Sequence, residues 1–81
     1  MHLYAAYLGG PLPDGRMGED HEMVMVVADD LQQAKALATA KWSGAGRGHV
    51  DAVQQIDMVD GYEVSLAQAG IGDRLTLDDF N

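Results

Sequence analysis

The sequence contains no cysteine among its 81 residues. No disulfide, thiolate metal site or thiol nucleophile is therefore available, and an intracellular location is the default. Basic residues are also scarce, since 5 lysines and arginines stand against 13 acidic residues and the formal net charge is −8. A nucleic-acid backbone repels such a surface, so we expect no nucleic-acid partner, whereas a cationic partner or a bound metal ion is favoured.

Long apolar runs are absent as well. No stretch approaches the roughly 18 apolar residues that a membrane-spanning helix needs. The apolar first eight residues have neither a preceding basic segment nor a small-residue cleavage site, so we predict a cytoplasmic protein with no signal peptide and no membrane partner. Hydrophobic residues make up 47% of the chain, enough for a folded core. The length suits a single domain over residues 1–81, with a core at about 1–67 and a tail at 68–81.

Two apolar segments predict the first two strands. MHLYAAYL is the first, and we expect Gly9 and Gly10 to end it before the turn-rich segment PLPDGRMG. HEMVMVVA, residues 21–28, is the second and is apolar on both faces, so both faces should be buried. A helix can cover only one of them. The other face needs a partner subunit or a crossing sheet, and we predict a homodimer through this open sheet face.

One helix and two further strands follow. Residues 29–42 predict the helix, with Asp30 as N-cap and Gln33 completing a capping box. HVDAVQQIDMV, with a short segment YEVSL after it, predicts the last two strands. The order β-β-α-β-β gives the α+β class: a mainly antiparallel sheet with one helix packed on one face. RLTL in the tail is a candidate edge strand or an arm that reaches a partner.

The register of the last hairpin has two solutions. A two-residue Asp60-Gly61 loop pairs Val59 with Tyr62, whereas a three-residue loop pairs Met58 with Tyr62. The second solution matches apolar with apolar side chains, and we expect it. Regular alternation then separates the third strand into two faces, the first with Val50, Ala52, Ile56 and Met58 and the second with His49, Asp51, Val53 and Asp57.

Two short motifs combine a histidine with a carboxylate. Glu19 and His21 are two positions apart, as are His49 and Asp51, and such pairs point the same way in extended chain. The four side chains can meet if both strands start at one end of the sheet, as parallel strands would. The set then suits a divalent first-row metal ion or a His–carboxylate acid/base pair. The alternative is four polar residues that hydrogen-bond loops and helix ends.

Neighbouring residues can complete a ligand pocket around these motifs. Glycines leave room for a ligand or a partner backbone, and aromatic side chains supply walls and hydroxyl donors. The candidate ligand-binding residues are Tyr7, Gly9, Gly10, Glu19, His21, Trp42, His49, Asp51 and Tyr62. The candidate metal ligands among them are Glu19, His21, His49 and Asp51. GAGRG, residues 44–48, lacks the phosphate-loop pattern and is expected to be a flexible connection.

The order of these motifs resembles the DUF1543 family of small bacterial proteins of unknown function. YLGG, E-x-H, an apolar strand ending in a valine pair, W-x-G, H-x-D and VDGY occur in sequence between residues 1 and 66. The chain departs from the pattern at Ser43, where members tend to carry an aromatic residue, and at Glu22, where they tend to carry aspartate. The resemblance implies no catalytic residues. Because some members carry two copies of the unit, it implies that a single copy pairs as a homodimer.

Three functional hypotheses follow from the sequence. The first is a homodimeric binding module whose polar pocket takes a small ligand or a divalent metal ion. The second is a small acid/base or metal-dependent enzyme in which His21 or His49 is the base and a carboxylate orients it. The third is a protein–protein interaction module in which the motifs are purely structural.

Overall fold

The computed structural model describes residues 1–73. Within them the chain order is β1 (His2–Pro11), β2 (Glu19–Ala28), α1 (Leu31–Ala40), β3 (His49–Ile56), β4 (Met58–Val59) and β5 (Tyr62–Glu63). The first three strands form an antiparallel sheet with β1 in the centre, and β4 pairs with β5 in a separate hairpin. These elements confirm the predicted α+β class with its β-β-α-β-β order. The RLTL segment lies outside the described residues.

Helix α1 covers one face of the sheet. The Asp30 carboxylate accepts a hydrogen bond of 2.8 Å from the Gln33 N–H, and Gln33 Oε1 accepts one of 2.6 Å from the Asp29 N–H. The predicted N-terminal cap is therefore confirmed, and its reciprocal bond reaches the residue before the cap. Ala34 and Ala38 are fully buried, and their small side chains let the helix lie close to the sheet. The buried core between the two layers consists of Tyr4, Ala6, Leu8, Val26, Ala28, Ala34 and Ala38.

The opposite side of the sheet, here called the open face, is apolar and exposed in the single chain. Met23, Met25 and Val27 of β2 are 67%, 47% and 41% exposed. The single chain leaves this face of β2 uncovered because only one helical layer packs on the sheet. Burial of the second face by a partner subunit therefore stays a prediction. By register and alternation the open face comprises Leu3, Ala5, Tyr7, Gly9, Pro11, Glu19, His21, Met23, Met25, Val27, His49, Asp51, Ala52, Gln54 and Ile56.

Strand β1 continues through both glycines to Pro11, so the prediction that Gly9 and Gly10 end it is wrong. Gly10 pairs with Asp20, and Gly9 pairs with a residue of β2 on one side and of β3 on the other. Neighbouring side chains fill the space where each Cβ would lie. The glycines are therefore needed for close approach, and the chain turns only after Pro11.

A β-bulge in β3 changes its predicted faces. Tyr7 pairs with Ala52 and Leu8 pairs with Val50, which leaves Asp51 without a partner in the ladder. Val50 and Val53 consequently both pack on the core on the helix side. The predicted grouping of Val53 with the polar residues is wrong, as is that of Ala52 with Val50, because the extra residue shifts the alternation by one position.

The hairpin adopts the two-residue loop, so the preferred three-residue loop is wrong. Val59 pairs with Tyr62 and Met58 with Glu63. The φ angles of Asp60 and Gly61 are 53° and 82°, as a tight turn with two left-handed central residues requires. An Asp-Gly pair adopts these angles readily. This backbone preference outweighs the apolar side-chain match on which the prediction was based.

Candidate functional site

The topology brings the two histidine–carboxylate motifs to the same end of the sheet. Strands β2 and β3 flank β1 and are both antiparallel to it, so they run parallel to each other. His21 and His49 are the two cross-strand partners of Gly9. Both strands therefore start at the same end of the sheet, as the meeting of the two motifs requires, and all four polar side chains project from the open face.

The side chains of Glu19, His21, His49 and Asp51, here called the His/carboxylate cluster, contact one another. His49 Nε2 lies 3.0 Å from Asp51 Oδ1 and 3.8 Å from Glu19 Oε1. His21 Nε2 lies 3.3 Å from Glu19 Oε2 and 3.8 Å from Asp51 Oδ2. Each carboxylate therefore presents one oxygen to each imidazole. The exposed side-chain fractions range from 35% for Asp51 to 52% for Glu19, so solutes can reach the cluster.

Gly9 provides the space in which the cluster forms. A Cβ atom built on Gly9 would lie 2.7 Å from Asp51 Oδ2, 3.0 Å from His49 Nε2 and 3.3 Å from His21 Cδ2. Contacts this short are not tolerated, so any larger residue would displace the cluster side chains. The β-bulge leaves Asp51 without a ladder partner next to His49, and it changes the alternation only for the residues that follow.

Tyr7 holds the ring of His21. The two rings are stacked, with centroids 5.3 Å apart and an interplanar angle of 5°. An offset stack of this kind restricts rotation of the imidazole, so it favours the orientation in which Nε2 faces the carboxylates. Tyr7 was predicted as an aromatic wall or hydroxyl donor of a pocket, and the stack places its ring beside the cluster.

The cluster has the donor spacing of a small metal site. One donor atom each from Glu19, His49 and Asp51 all lie within 4.8 Å of one another. A tetrahedral ion with ligands at 2.0–2.1 Å separates its donors by about 3.3 Å, inside the 3.0–3.8 Å range of the measured His–carboxylate distances. His21 stands next to this group, 3.3 Å from Glu19. Three protein donors would leave at least one coordination position for His21, water or a ligand.

Three predicted site residues lie apart from the cluster. The ring of Trp42 packs on the core side of the sheet, where a Cβ on Gly10 would lie only 2.5 Å from Cζ2. Its Nε1 donates to the Ala45 carbonyl at 3.1 Å, so the tryptophan organises the loop that follows α1. Tyr62 lies in the β4–β5 hairpin and is 78% exposed. Gly10 is the third of these residues. Adjacent residues of a strand face opposite sides, so Gly10 faces the core whereas Gly9 faces the cluster.

Sequence reasoning missed a contact between the two positions that depart from the family pattern. Glu22 accepts a 2.5 Å hydrogen bond from the Ser43 hydroxyl and a 3.0 Å bond from the Ser43 N–H. The Ser43 hydroxyl makes the larger contribution and the Ser43 backbone N–H the smaller one, and together they hold the pKa of Glu22 below its ordinary value. This contact joins β2 to the end of α1. The simultaneous departure at both positions was the signal that could have revealed it.

Ser43→Ala is expected to raise the pKa of Glu22 towards its ordinary value, because the hydroxyl is the larger cause of its lowering. A carboxyl whose pKa is lower in the folded state adds stability above its unfolded pKa, and that stability is lost as the pH falls through the folded pKa. The variant should therefore lose less stability on acidification than the parent. Carboxyl ¹³C titration by NMR measures the shift, with Ser65→Ala as control. An unchanged Glu22 titration would contradict the assignment.

Two hollows in the described part of the chain adjoin the open face. A shallow hollow of about 390 Å³ beside Tyr7 is lined by small and apolar residues, including Ala5, Met23, Ala52 and Gln54. A larger cleft of about 680 Å³ lies away from the cluster, between residues 66–73 and the side chains of Leu3, Met25 and Val27. The sequence did not predict either hollow, because both depend on which strands are adjacent and on the path of the tail.

The comparisons with known proteins identify a family without an activity. A family model described as Domain of Unknown Function (DUF1543) matches residues 16–66, which include the whole His/carboxylate cluster but not YLGG. This match confirms the resemblance seen in the sequence. No curated protein and no solved structure matches the chain. No helix among residues 1–73 has the length and apolar character needed to cross a membrane.

Proposed function

Because the chain belongs to the DUF1543 family, whose description names no activity, we propose a function from the site itself: a homodimeric binding module whose His/carboxylate cluster binds a divalent first-row metal ion. The observation that carries this proposal is the convergence of two imidazoles and two carboxylates over the missing side chain of Gly9. Four polar side chains serving only to cap strand ends would not need that space.

The donor types favour a transition metal over calcium or magnesium. Imidazole nitrogens and carboxylate oxygens together suit Zn²⁺, Co²⁺, Ni²⁺ and Cu²⁺, whereas Ca²⁺ and Mg²⁺ prefer sites made of oxygen. The overall charge of −8 raises the local concentration of cations. The two carboxylates bring a charge of −2 when ionised, which a divalent ion neutralises.

The homodimeric part of the proposal is supported by the open face. Met23, Met25 and Tyr7 form an exposed apolar surface on a sheet with a single helical layer. Covering such a surface with a second copy removes apolar area from water without any change in the fold. The cluster lies at one end of the same face, so the metal site and the proposed interface adjoin each other.

A small acid/base enzyme is the second candidate function. Asp51 Oδ1 lies 3.0 Å from His49 Nε2, which is hydrogen-bonding distance for a carboxylate that orients a general base. The 390 Å³ hollow beside Tyr7 offers a place for a small substrate on the same face. This candidate requires the His49–Asp51 pair to act without a metal ion, so metal analysis separates the two candidates.

His49→Ala is expected to abolish metal binding, because it removes one of the three mutually close donors. We expect the untagged protein, purified without chelator, to carry about one transition-metal ion per chain, as a single three- or four-ligand site would. Elemental mass spectrometry measures the stoichiometry. Titration of the metal-free protein with Co²⁺, followed by its visible absorption, reports coordination directly.

His2→Ala is the matched control, because His2 is at the other end of β1 and contacts Gln55. It should bind metal like the parent. A parent protein that neither contains metal nor binds added Zn²⁺ or Co²⁺ would overturn the metal proposal and leave the acid/base enzyme. If His49→Ala and His2→Ala lose metal to the same extent, the ion does not bind at the His/carboxylate cluster.

A further inference from the structure

Within strands β1, β2 and β3, the only charged side chains on the open face belong to the His/carboxylate cluster. Lys41 and Asp73 line the cleft at the other end of this face, but they lie 3.8 Å apart as an ion pair and add no net charge. The remaining residues of that face, over the described strands, are Leu3, Ala5, Tyr7, Gly9, Pro11, Met23, Met25, Val27, Ala52, Gln54 and Ile56. The other acidic residues within 1–73 lie outside this set, although the whole chain carries −8. The open face is therefore the surface through which two copies of this acidic chain can approach with the least repulsion.

The size of the open face makes a dimer marginal on apolar contact alone. Three strands spaced about 4.8 Å apart, each about ten residues long at 3.4 Å per residue, give a face of at most about 14 × 34 Å. Residues 66–73 lie beside the end of this face that carries Leu3, Met25 and Val27, so the area open to a second copy is smaller. Two such faces bury at most about 950 Å², below the 1,200–2,000 Å² that is usual for stable interfaces. Docking would also remove Glu19 and Asp51 from water, which is costly for ionised carboxylates without a counter-charge.

We propose that metal binding and dimerisation are coupled at this face: a divalent ion bound by Glu19, His49 and Asp51 neutralises its carboxylates and thereby allows a second copy of this chain to dock on it. The coupling rests on the proposed metal site and adds its consequence for assembly. Because coupling free energies are reciprocal and the dimer carries one ion per chain, each site of the dimer must bind the ion more tightly than the monomer by the square root of the factor by which the ion tightens the dimer. A partner of opposite charge would instead be attracted to the acidic surfaces outside the open face.

Sedimentation equilibrium of the full chain, with Zn²⁺ or with chelator, tests the coupling. We expect the dimer dissociation constant to fall by at least about tenfold with Zn²⁺, within the range usual for linked sites. Met25→Lys places a charge on the open face, four residues from His21, and should keep the chain monomeric with or without Zn²⁺. Its Zn²⁺ affinity, measured by competition titration, should then be weaker than that of the dimeric parent by the square root of that factor, about threefold for a tenfold tighter dimer.

Matched variants separate neutralisation from other effects of zinc. Met58→Lys makes the same substitution in the β4–β5 hairpin, where Met58 is 66% exposed, and should dimerise like the parent. Glu19→Gln/Asp51→Asn removes both carboxylate charges with little change of shape. This double variant should dimerise without metal as tightly as the zinc-loaded parent. If it stays monomeric, the ion does not act by neutralisation and the proposal is overturned.

The outcomes also distinguish this proposal from the proposed function. A parent that binds no Zn²⁺ in the competition titration would overturn the metal site, and the coupling with it. A parent that binds Zn²⁺ with the affinity of Met25→Lys and dimerises equally with and without it would overturn the coupling alone. Zinc-induced association of His49→Ala would show that association proceeds through other residues, and would overturn the coupling as well.

Discussion

Gly9→Ala is expected to lower the affinity of the cluster for its metal ion by roughly 10- to 100-fold, the loss typical of disturbing the groups that orient metal ligands. The added methyl would lie 2.7 Å from Asp51 Oδ2 and 3.0 Å from His49 Nε2. Both atoms are at the free ends of side chains, which are partly exposed and can rotate away. The fold should therefore survive while the donor geometry is lost, because metal ligands must be held within about 0.5 Å.

Competition titration with Zn²⁺ measures the affinity of Gly9→Ala, and thermal unfolding of the metal-free protein measures its stability. Gly70→Ala is the matched control, since its added Cβ would have no neighbour within 4 Å. Unchanged metal affinity in Gly9→Ala would show that the cluster does not need the space over this glycine. The proposal that the cluster binds its metal ion over Gly9 would then be overturned.

The cluster was predictable from sequence because strand geometry makes a two-residue spacing informative. Glu19 with His21, and His49 with Asp51, each point one way in extended chain, and one topological fact brings the pairs together. That fact, two strands parallel to each other on either side of β1, follows from one helix connecting them across a three-stranded sheet. The sequence predicted that the four side chains meet if β2 and β3 start at the same end of the sheet, and in the structure they do.

The errors arose where backbone irregularity overrides side-chain pattern. The bulge at Asp51 places Val53 on the core side, and nothing in HVDAVQQI marks the position of an extra residue. The hairpin follows the left-handed angles of Asp60 and Gly61, although the other loop matched its apolar residues better. The local backbone conformation and the alternation of apolar and polar side chains constrain the strand register separately. A prediction from alternation alone fails wherever the two disagree.

The two adjacent glycines of β1 were mistaken for a strand end because glycine is usually a turn signal. Here each glycine accommodates side chains on a different face of the sheet. Gly9 faces the cluster, and Gly10 faces the indole ring of Trp42. The sequence alone cannot distinguish a glycine needed for its backbone angles from one needed for close approach. The same Gly→Ala change should therefore lower metal affinity at Gly9 and the stability of the fold at Gly10.

Gly10→Ala is expected to destabilise the fold by about 2 kcal/mol, in the range usual for overpacking a core. Its methyl would lie 2.5 Å from Cζ2 and 2.9 Å from Cε2 of Trp42, and 3.2 Å from the Arg47 carbonyl oxygen. The ring cannot simply move aside, because Gly44 and Gly48 also pack closely against it: a Cβ on Gly44 would meet Cζ2, and one on Gly48 would lie 2.5 Å from Cγ. For a domain of this size the melting temperature should fall by roughly 8–16 °C.

Thermal and urea unfolding of metal-free Gly10→Ala measure this loss, and a double-mutant cycle with Trp42→Leu assigns its cause. Truncating the ring removes the atoms that the methyl meets, so Gly10→Ala should cost much less in the Trp42→Leu background than in the parent. Equal costs in both backgrounds would show that the strain lies elsewhere, for instance against the Arg47 carbonyl. At 4 °C, where Gly10→Ala remains folded, it should bind Zn²⁺ like the parent, since its methyl faces away from the cluster. Metal affinity lost at Gly9 and stability lost at Gly10 would together establish that β1 separates the metal site from the core.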